Sequence, residues 1–522
     1  MNLAAQFAQF KPELEPKPEL AKWVGGLVKS HADLINQARL DAAKIEALTF
    51  ELARYKRLQF AAKSEQYPPV QLELFAETCT TDISEILAEV EQVGASQTSD
   101  ATEPAATQRP RAGRQPLPDH LPRIEHRHEP ESCTCGQCGQ DLVKIREDIS
   151  EQLDVEPARF FVHRHIRPQY ACRACETISA APIPPAVIDG GMAAVGLYAW
   201  VIIGKYVDHL PLYRLEQIAA RSGVTLSRST LAEWVGRIGC ALQPLAERLA
   251  VLLRERPALH ADETPVQQLD PGSGKTKRAY LWAYRSNSLA PDPPIVVFDY
   301  QTSRAGTHAC NFLSHWKGYL MVDGYAGYQA LFKDGVTELA CLAHARRKFF
   351  DLHAANGNAL AQEALRRIGV LYAIEQEGKA LDVAVRTQLR QSKAIPELQA
   401  LHDWLYQTRA TVADGGALAK AIDYSLKRWS ALSRYASNGR LPIDNNAVEN
   451  AIRPIALGRK NWLFAGSERA GKRAAAIQSL LATAKLNGIE PAAWLRETLE
   501  NLPTCRQSQI DSLLPLHSAE LK

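Results

Sequence analysis

Between Val24 and Tyr55 apolar residues recur at a seven-residue spacing. One seam carries Val24, His31, Ala38, Ile45 and Leu52, the other Leu27, Leu34, Asp41, Leu48 and Tyr55, and eight of these ten are apolar. Such a repeat keeps one stripe of a helix facing a partner, so residues 1–91 are read as a helical, coiled-coil region. The polar seam positions His31 and Asp41 would favour a single register. From residue 92 to 118 the period disappears into Ala, Thr, Ser, Gln and Pro, the composition of a linker. Its basic end, Arg109, Arg111 and Arg114 with Arg123 and Arg127 beyond, reads as a solvated tether with non-specific attraction for phosphate.

Further on, the apolar run from Met192 to Gly204 stops at Lys205 after 13 residues, too short to span a bilayer and suited to a buried helix. Residues 212–239 then read as two helices about a turn: Leu215, Ile218 and Ala219 on the first, Gly223 for a left-handed turn, Ser227 or Ser229 as a cap, and Leu231 and Trp234 on the second. A helix-turn-helix needs this order, and a purely structural helix pair satisfies it equally. Between 258 and 345 the period changes again. The stretches ALHADETPVQQL, RAYLWAYR, PIVVFDY, GYLMVDGY and TELACLAHA are short apolar or alternating runs punctuated by Gly, Pro, Asp and Asn. Three strands, a helix, a fourth strand, a helix and a fifth strand is the order of a ribonuclease-H-like mixed sheet, an analogy of fold.

Composition changes this picture little. A chain of 522 residues, 46% hydrophobic and 23% charged, is several globular domains, and a net charge of +3 excludes a uniformly basic protein. The first 20 residues lack a basic start followed by an apolar run, so no secretory signal is expected. Ten cysteines in such a chain are expected as reduced thiols or metal ligands. Cys135 and Cys138 form one C-x2-C pair, and Cys172 and Cys175 a second after 33 intervening residues, with QLDVEPARFFVHRHI alternating like a strand pair between them. Two such tight turns suit a closed tetrahedral Zn2+ site of structural type. Cys133 is a spare thiol that could replace Cys135, which has the paired spacing.

The candidate chemistry lies in the carboxylates. Asp262 falls within the first strand of the 258–345 region and Asp323 at the end of the fourth; period-two geometry puts His260, Asp262 and Thr264 on one face and Glu263 on the other. A lone charge on an apolar strand is costly, and two aspartates on neighbouring strands repel unless a cation lies between them. Phosphoryl transfer by two magnesium ions requires several hard oxygen ligands from different elements. Glu449, in DNNAVEN, would begin a helix and supply the third, with six Lys or Arg residues following: Arg453, Arg459, Lys460, Arg469, Lys472 and Arg473. These are candidate contacts to a phosphate backbone, as are Arg346, Arg347 and Lys348 after the fifth strand and Arg228 in the helix pair. For any single carboxylate an ordinary helix start, with Asp444 or Asn445 capping and Glu449 complementing the helix dipole, is the favoured reading; three in the right order shift the balance. His344 is left without a catalytic role, and Trp462 is read as a core residue that could alternatively stack on a base.

The segments HADETPVQ, MVDGYAGYQAL, CLAHARRKFFDL and DNNAVENAIRPIALGRKNWLFAGSERAGKRAA together resemble the DDE transposases of insertion sequence sixty-six elements, over about residues 115–500. The resemblance implies a catalytic triad of Asp262, Asp323 and Glu449 using Mg2+ or Mn2+, and Zn2+ at Cys135, Cys138, Cys172 and Cys175. It also implies double-stranded DNA as partner, element-encoded accessory proteins, and a bacterial cytoplasmic location at the nucleoid; the heptads favour a homodimer, and no membrane is involved. The expected domains are a coiled coil (1–91), linker (92–118), zinc-binding domain (119–185), helix-turn-helix-like region (186–256), first part of the catalytic core (257–350), helical insertion (351–440), glutamate helix with the rest of the core (441–500) and tail (501–522). The resemblance thus implies a multidomain α+β chain that would cleave at terminal inverted repeats and join 3' ends to target DNA. Two other readings stay open: a non-catalytic zinc and helix-turn-helix regulator, and a nuclease or resolvase of the same fold.

Overall fold

A computed structural model of the chain describes residues 23–24, 26–27, 30–31, 160–163, 169–171, 178–180, 185–270 and 272–516. Val24, Leu27 and His31 of the heptad seam are helical. The rest of the expected coiled coil, the linker, and Cys133, Cys135, Cys138, Cys172 and Cys175 lie outside the described residues. The chain divides into two compact units, residues 98–165 and the remainder. In the former only 160–163 are described; they form no regular element, with Phe161 and Val162 exposed, and most of the alternating stretch lies outside the described residues. In the larger unit a strand pair does form, β1 (Gln169–Ala171) antiparallel to β2 (Ile178–Ala180), with the second cysteine pair in the connection.

The apolar run becomes helix α1 (Val195–Tyr206), burying Tyr198, Ala199, Val201, Ile202 and Gly204. The helix pair follows as α2 (Leu212–Arg221) and α3 (Arg228–Ala241). Both local signals act as expected: Gly223 takes φ +73° in the turn, and the Ser227 hydroxyl accepts from the Thr230 amide as N-cap. Helix α4 (Gln243–Arg254) leads into the sheet.

Strands β3 (Ala258–Asp270), β4 (Lys275–Ser286) and β5 (Val296–Gln301), helix α5 (Gly306–Leu313), β6 (Tyr319–Val322), helix α6 (Gln329–Lys333) and β7 (Thr337–Ala340) appear in the order that the hydrophobic runs predict. In space the order is β5-β4-β3-β6-β7. The first two pairings are antiparallel and the last two parallel. A two-residue strand, β8 (Phe464–Ala465), lies parallel to the far end of β3.

Helices α7 (Leu342–Asn356), α8 (Ala359–Gly378), α9 (Val383–Leu389), α10 (Ile395–Thr411), α11 (Ala417–Lys427) and α12 (Trp429–Ser433) form the stretch between β7 and the Glu449 segment. Leu371, Tyr372, Leu401, Ile422 and Leu432 join Met321 and Leu339 of the sheet in one buried cluster, so this stretch is packed onto the core. Its end is fixed by Arg390, fully buried, which pairs with Glu375 and donates to the carbonyls of Tyr435, Asn438 and Leu441. A buried guanidinium is tolerated only when so completely partnered.

Helices α13 (Asn446–Trp462), α14 (Glu468–Leu486) and α15 (Pro491–Asn501) complete the fold. Helix α14 covers the sheet at β5. The Ser479 hydroxyl accepts from the Phe298 amide at 2.8 Å, and the Thr483 hydroxyl accepts from the Val296 amide at 3.2 Å and donates to its carbonyl at 3.1 Å. An edge strand's unpaired backbone is thereby satisfied by side chains. The expected tail is folded as far as Leu514: Arg248 makes a two-pronged ion pair with Asp511 at 2.7 and 2.8 Å, and the Trp494 indole donates to the Leu513 carbonyl. Among the described residues no helix is long and apolar enough to cross a membrane.

Candidate active site

Strand β3 lies inside the sheet, between β4 and β6, and its apolar residues supply much of the burial. Its parallel register with β6 pairs Leu259 with Leu320 and His260 with Met321. Continuing two residues along both strands brings Asp262 level with Asp323, on the same face, just where β6 ends. One oxygen of each aspartate accepts a nearby backbone amide, that of Glu263 for Asp262 and that of Tyr325 for Asp323, both at 2.8 Å. The second oxygen of each accepts no hydrogen bond among the described residues.

Glu449 reaches the same place from α13. It occupies the first turn of that helix and is 3% exposed, so its carboxylate is inside the protein and not a solvated complement to the helix dipole. The helix start is fastened to β3 by Asn445. Its Oδ1 lies 2.9 Å from His260 Nδ1, its Nδ2 donates to the Ala261 carbonyl at 3.0 Å, and its backbone amide donates to Cys341 Sγ at 3.2 Å. Burial holds the His260 imidazole down at about 4, so it is neutral and Nδ1 carries the proton given to Asn445. Asp444 turns back to accept from the Asn446 amide and from the Tyr372 hydroxyl, and burial pushes its carboxyl up to about 6. The capping roles weighed for Asp444 and Asn445 therefore fall to Asp444, while Asn445 joins α13 to the strand.

Electrostatics show the cost of this convergence. Burial, then the charges of Glu263, Asp323 and Glu449, push the Asp262 carboxyl well above the usual carboxylate range. Glu263, on the opposite side of the strand, is pushed up to about 7 by burial and by Asp323, against the Arg304 guanidinium that pairs with it at 2.6 Å; Tyr328 donates to its other oxygen at 2.8 Å. Asp262, Asp323 and Glu449, converging from two strands and a helix, are a hard oxygen donor set of the kind that suits divalent cations.

Comparison with known proteins decides the family. The model of the transposase IS66 family matches residues 190–473. The chain belongs to this family. Its zinc-finger binding domain matches residues 132–176, a segment described as transposase C of IS166 homeodomain matches 47–125, and the IS66 C-terminal element matches 479–516. Among curated relatives, the uncharacterized protein y4jD of Sinorhizobium fredii is 39% identical over 412 residues, covering 76% of this chain and 81% of its own length. The uncharacterized y4qI of the same organism is 37% identical over 475 residues, covering 88% and 85%. The resemblance noted from the motifs is thus a family membership, and a transposase family with a zinc finger implies DNA and divalent metals.

Within this family member the basic residues separate by position. Arg453, Arg469 and Lys472 are exposed, Lys472 pairing with Glu468 at 2.7 Å. Lys460 and Arg473 are half-buried, and the Arg473 chain lies along Gly236 and Gly239 of α3. Arg228 is exposed and pairs with Glu216 of α2. Lys348 is exposed over the Tyr424 ring, and Arg347 pairs with Asp351 at 3.6 Å. Two candidates lie inside. Arg459 is 8% exposed and donates to the Pro265 carbonyl of β3, and Arg346 is 4% exposed beside the Phe350 ring. A buried guanidinium committed to the protein cannot grip phosphate, so both serve the fold. Trp462 packs against the cluster of Val266, Phe298 and Ile455, in keeping with the core reading.

Sequence reasoning missed three groups at the site. Asn445 was one. His344, at the start of α7, places Nδ1 3.6 Å from Glu449 Oε1. The third is the pair Tyr424 and Arg428, which donate to the Asp323 carbonyl at 2.6 and 2.8 Å while Arg428 also pairs with Glu338. Gly324 makes room for this: at φ +104° it has no Cβ, which would stand 2.1 Å from the Arg428 guanidinium. Only the adjoining glycine in MVDGY carried a local sequence signal.

Proposed function

We propose that this chain is a DDE-type transposase that cleaves DNA at the terminal inverted repeats of an insertion sequence and joins the freed 3' ends to target DNA. The observation that carries the reading is the convergence of Asp262, Asp323 and Glu449 from two strands and a helix. It is supported by a mixed sheet of order β5-β4-β3-β6-β7, which we read as a ribonuclease-H-like core. Asp262 and Asp323 would hold divalent cations from the strands, and Glu449 from the helix. Bound Mg2+ or Mn2+ supplies activation of an attacking oxygen and charge compensation at the leaving one. Asn445 and Arg428 keep the carboxylates in register, and the exposed Arg453, Arg469, Lys472, Lys348 and Arg228, with Lys460 and Arg473, are the proposed phosphate contacts that orient the duplex. Water first hydrolyses the phosphodiester at the element's end; the resulting 3' hydroxyl then attacks a target phosphodiester, displacing a target 3' oxygen, so each step exchanges one P–O bond for another.

Zn2+ at Cys135, Cys138, Cys172 and Cys175 would order the module preceding α1, and a homodimer would pair two ends, aided by accessory proteins from the same element. The test is strand transfer of a labelled end-containing duplex with Mg2+ or Mn2+. Joined product from the wild type is expected to vanish in Asp262→Ala, Asp323→Ala and Glu449→Ala while end binding persists. Cleaved but never joined ends would mark a nuclease, and end binding without any product, accessory proteins included, a regulator.

A further inference from the structure

His344 stands where a fourth ligand would. It begins α7, directly after β7, and its ring reaches Glu449 across a connection of more than 100 residues. Nδ1 is buried, accepts or donates no hydrogen bond among the described residues, and lies 3.6 Å from Glu449 Oε1, too far for a hydrogen bond and suited to two atoms sharing an ion. Its ring nitrogen, Glu449 and the Cys341 thiol lie within 4.8 Å of one another. The thiol is already engaged, since Sγ accepts the Asn445 amide at 3.2 Å. That leaves the imidazole and the carboxylate as the two donors.

We infer that His344 Nδ1 is a direct ligand of the cation held by Glu449, so that this member of the family carries a mixed nitrogen and oxygen site that favours Mn2+ over Mg2+. The inference rests on the carboxylate assignment proposed above. Its physical basis is ligand softness: imidazole binds first-row transition ions well, whereas Mg2+ prefers oxygen and retains its water. Three carboxylates alone would make no such distinction beyond the general affinity order. His344 is unlike the other site residues in having no structural hydrogen bond to lose. Its replacement is therefore expected to spare the fold.

The experiment uses the full chain, zinc-loaded, titrated with Mn2+ alone and followed by continuous-wave and pulsed electron paramagnetic resonance. The wild type is expected to bind Mn2+ with a nitrogen-14 coupling from a coordinated imidazole. In His344→Ala and His344→Gln the coupling disappears and Mn2+ affinity falls about tenfold or more, while Mg2+ affinity, read by competition, changes far less. Bound Mn2+ that shows no nitrogen coupling in the wild type overturns the ligand assignment and leaves the carboxylate reading standing, provided that Asp262→Ala and Glu449→Ala still abolish binding. Wild-type protein that fails to bind Mn2+ overturns both. Melting curves of the metal-free variants, expected to match the wild type, exclude loss of fold as the cause.

Discussion

Asn445 shows how much one side chain determines at this site. Besides its carbonyl, which accepts the Val448 and Glu449 amides within the helix start, its three other polar contacts are to residues more than 100 positions away. Replacing it with alanine leaves His260 Nδ1 and the Ala261 carbonyl buried without a partner, each costing about 1–3 kcal/mol. Asn445→Ala is therefore expected to destabilise the protein by about 2–4 kcal/mol, read as a lower urea midpoint, and to lower strand transfer beyond what the unfolded fraction explains, because Glu449 loses its anchor. An unchanged midpoint would show that the contacts to β3 are not what holds α13. Asp444 and Asn445 were interchangeable as caps in the sequence, since either side chain can accept a backbone amide; which does so depends on what lies beside each in the folded chain.

At the scale of elements, the helical stretch between β7 and α13 does more than extend the chain. Helix α11 contributes Tyr424, and Arg428 follows at its end; both hold the Asp323 carbonyl, and Arg428 is itself held by Glu338 of β7. This helical stretch thus sets the backbone from which Asp323 projects. Arg428→Ala is expected to reduce strand transfer about 10–100-fold, the usual loss for a residue that orients a metal ligand, with binding of an end duplex unchanged within twofold. Equal loss of binding would place Arg428 on the DNA instead. The strands and the helix pair were legible because their signals are local: alternation, Gly223 at the turn and Ser227 at the cap.

For the whole molecule, burial separates the exposed basic residues, which are the proposed phosphate contacts, from those packed inside the fold. With a net charge of only +3, affinity for a polyanion depends on where the exposed cations lie. Arg453→Ala combined with Arg469→Ala is expected to make the dependence of log K on log salt shallower by about 2, whereas Arg459→Ala should leave the slope unchanged and lower the urea midpoint. A slope unchanged by the double variant would remove this face from the interface. The chain's family, the order of its strands and helices, and Asp262, Asp323 and Glu449 as site candidates follow from the sequence by itself. Charge within or at the end of an apolar strand is too costly to be accidental, and periodicity reports an element without reference to its neighbours. The tertiary structure alone decided that Arg459 and Arg346 are buried, that Asn445 joins α13 to β3, that Arg428 supports Asp323 and that His344 faces Glu449. Apart from the burial of Arg346, these depend on contacts across about 100 or more residues, and such contacts leave no period or spacing in the chain because they exist only after the sheet and the inserted helices have packed.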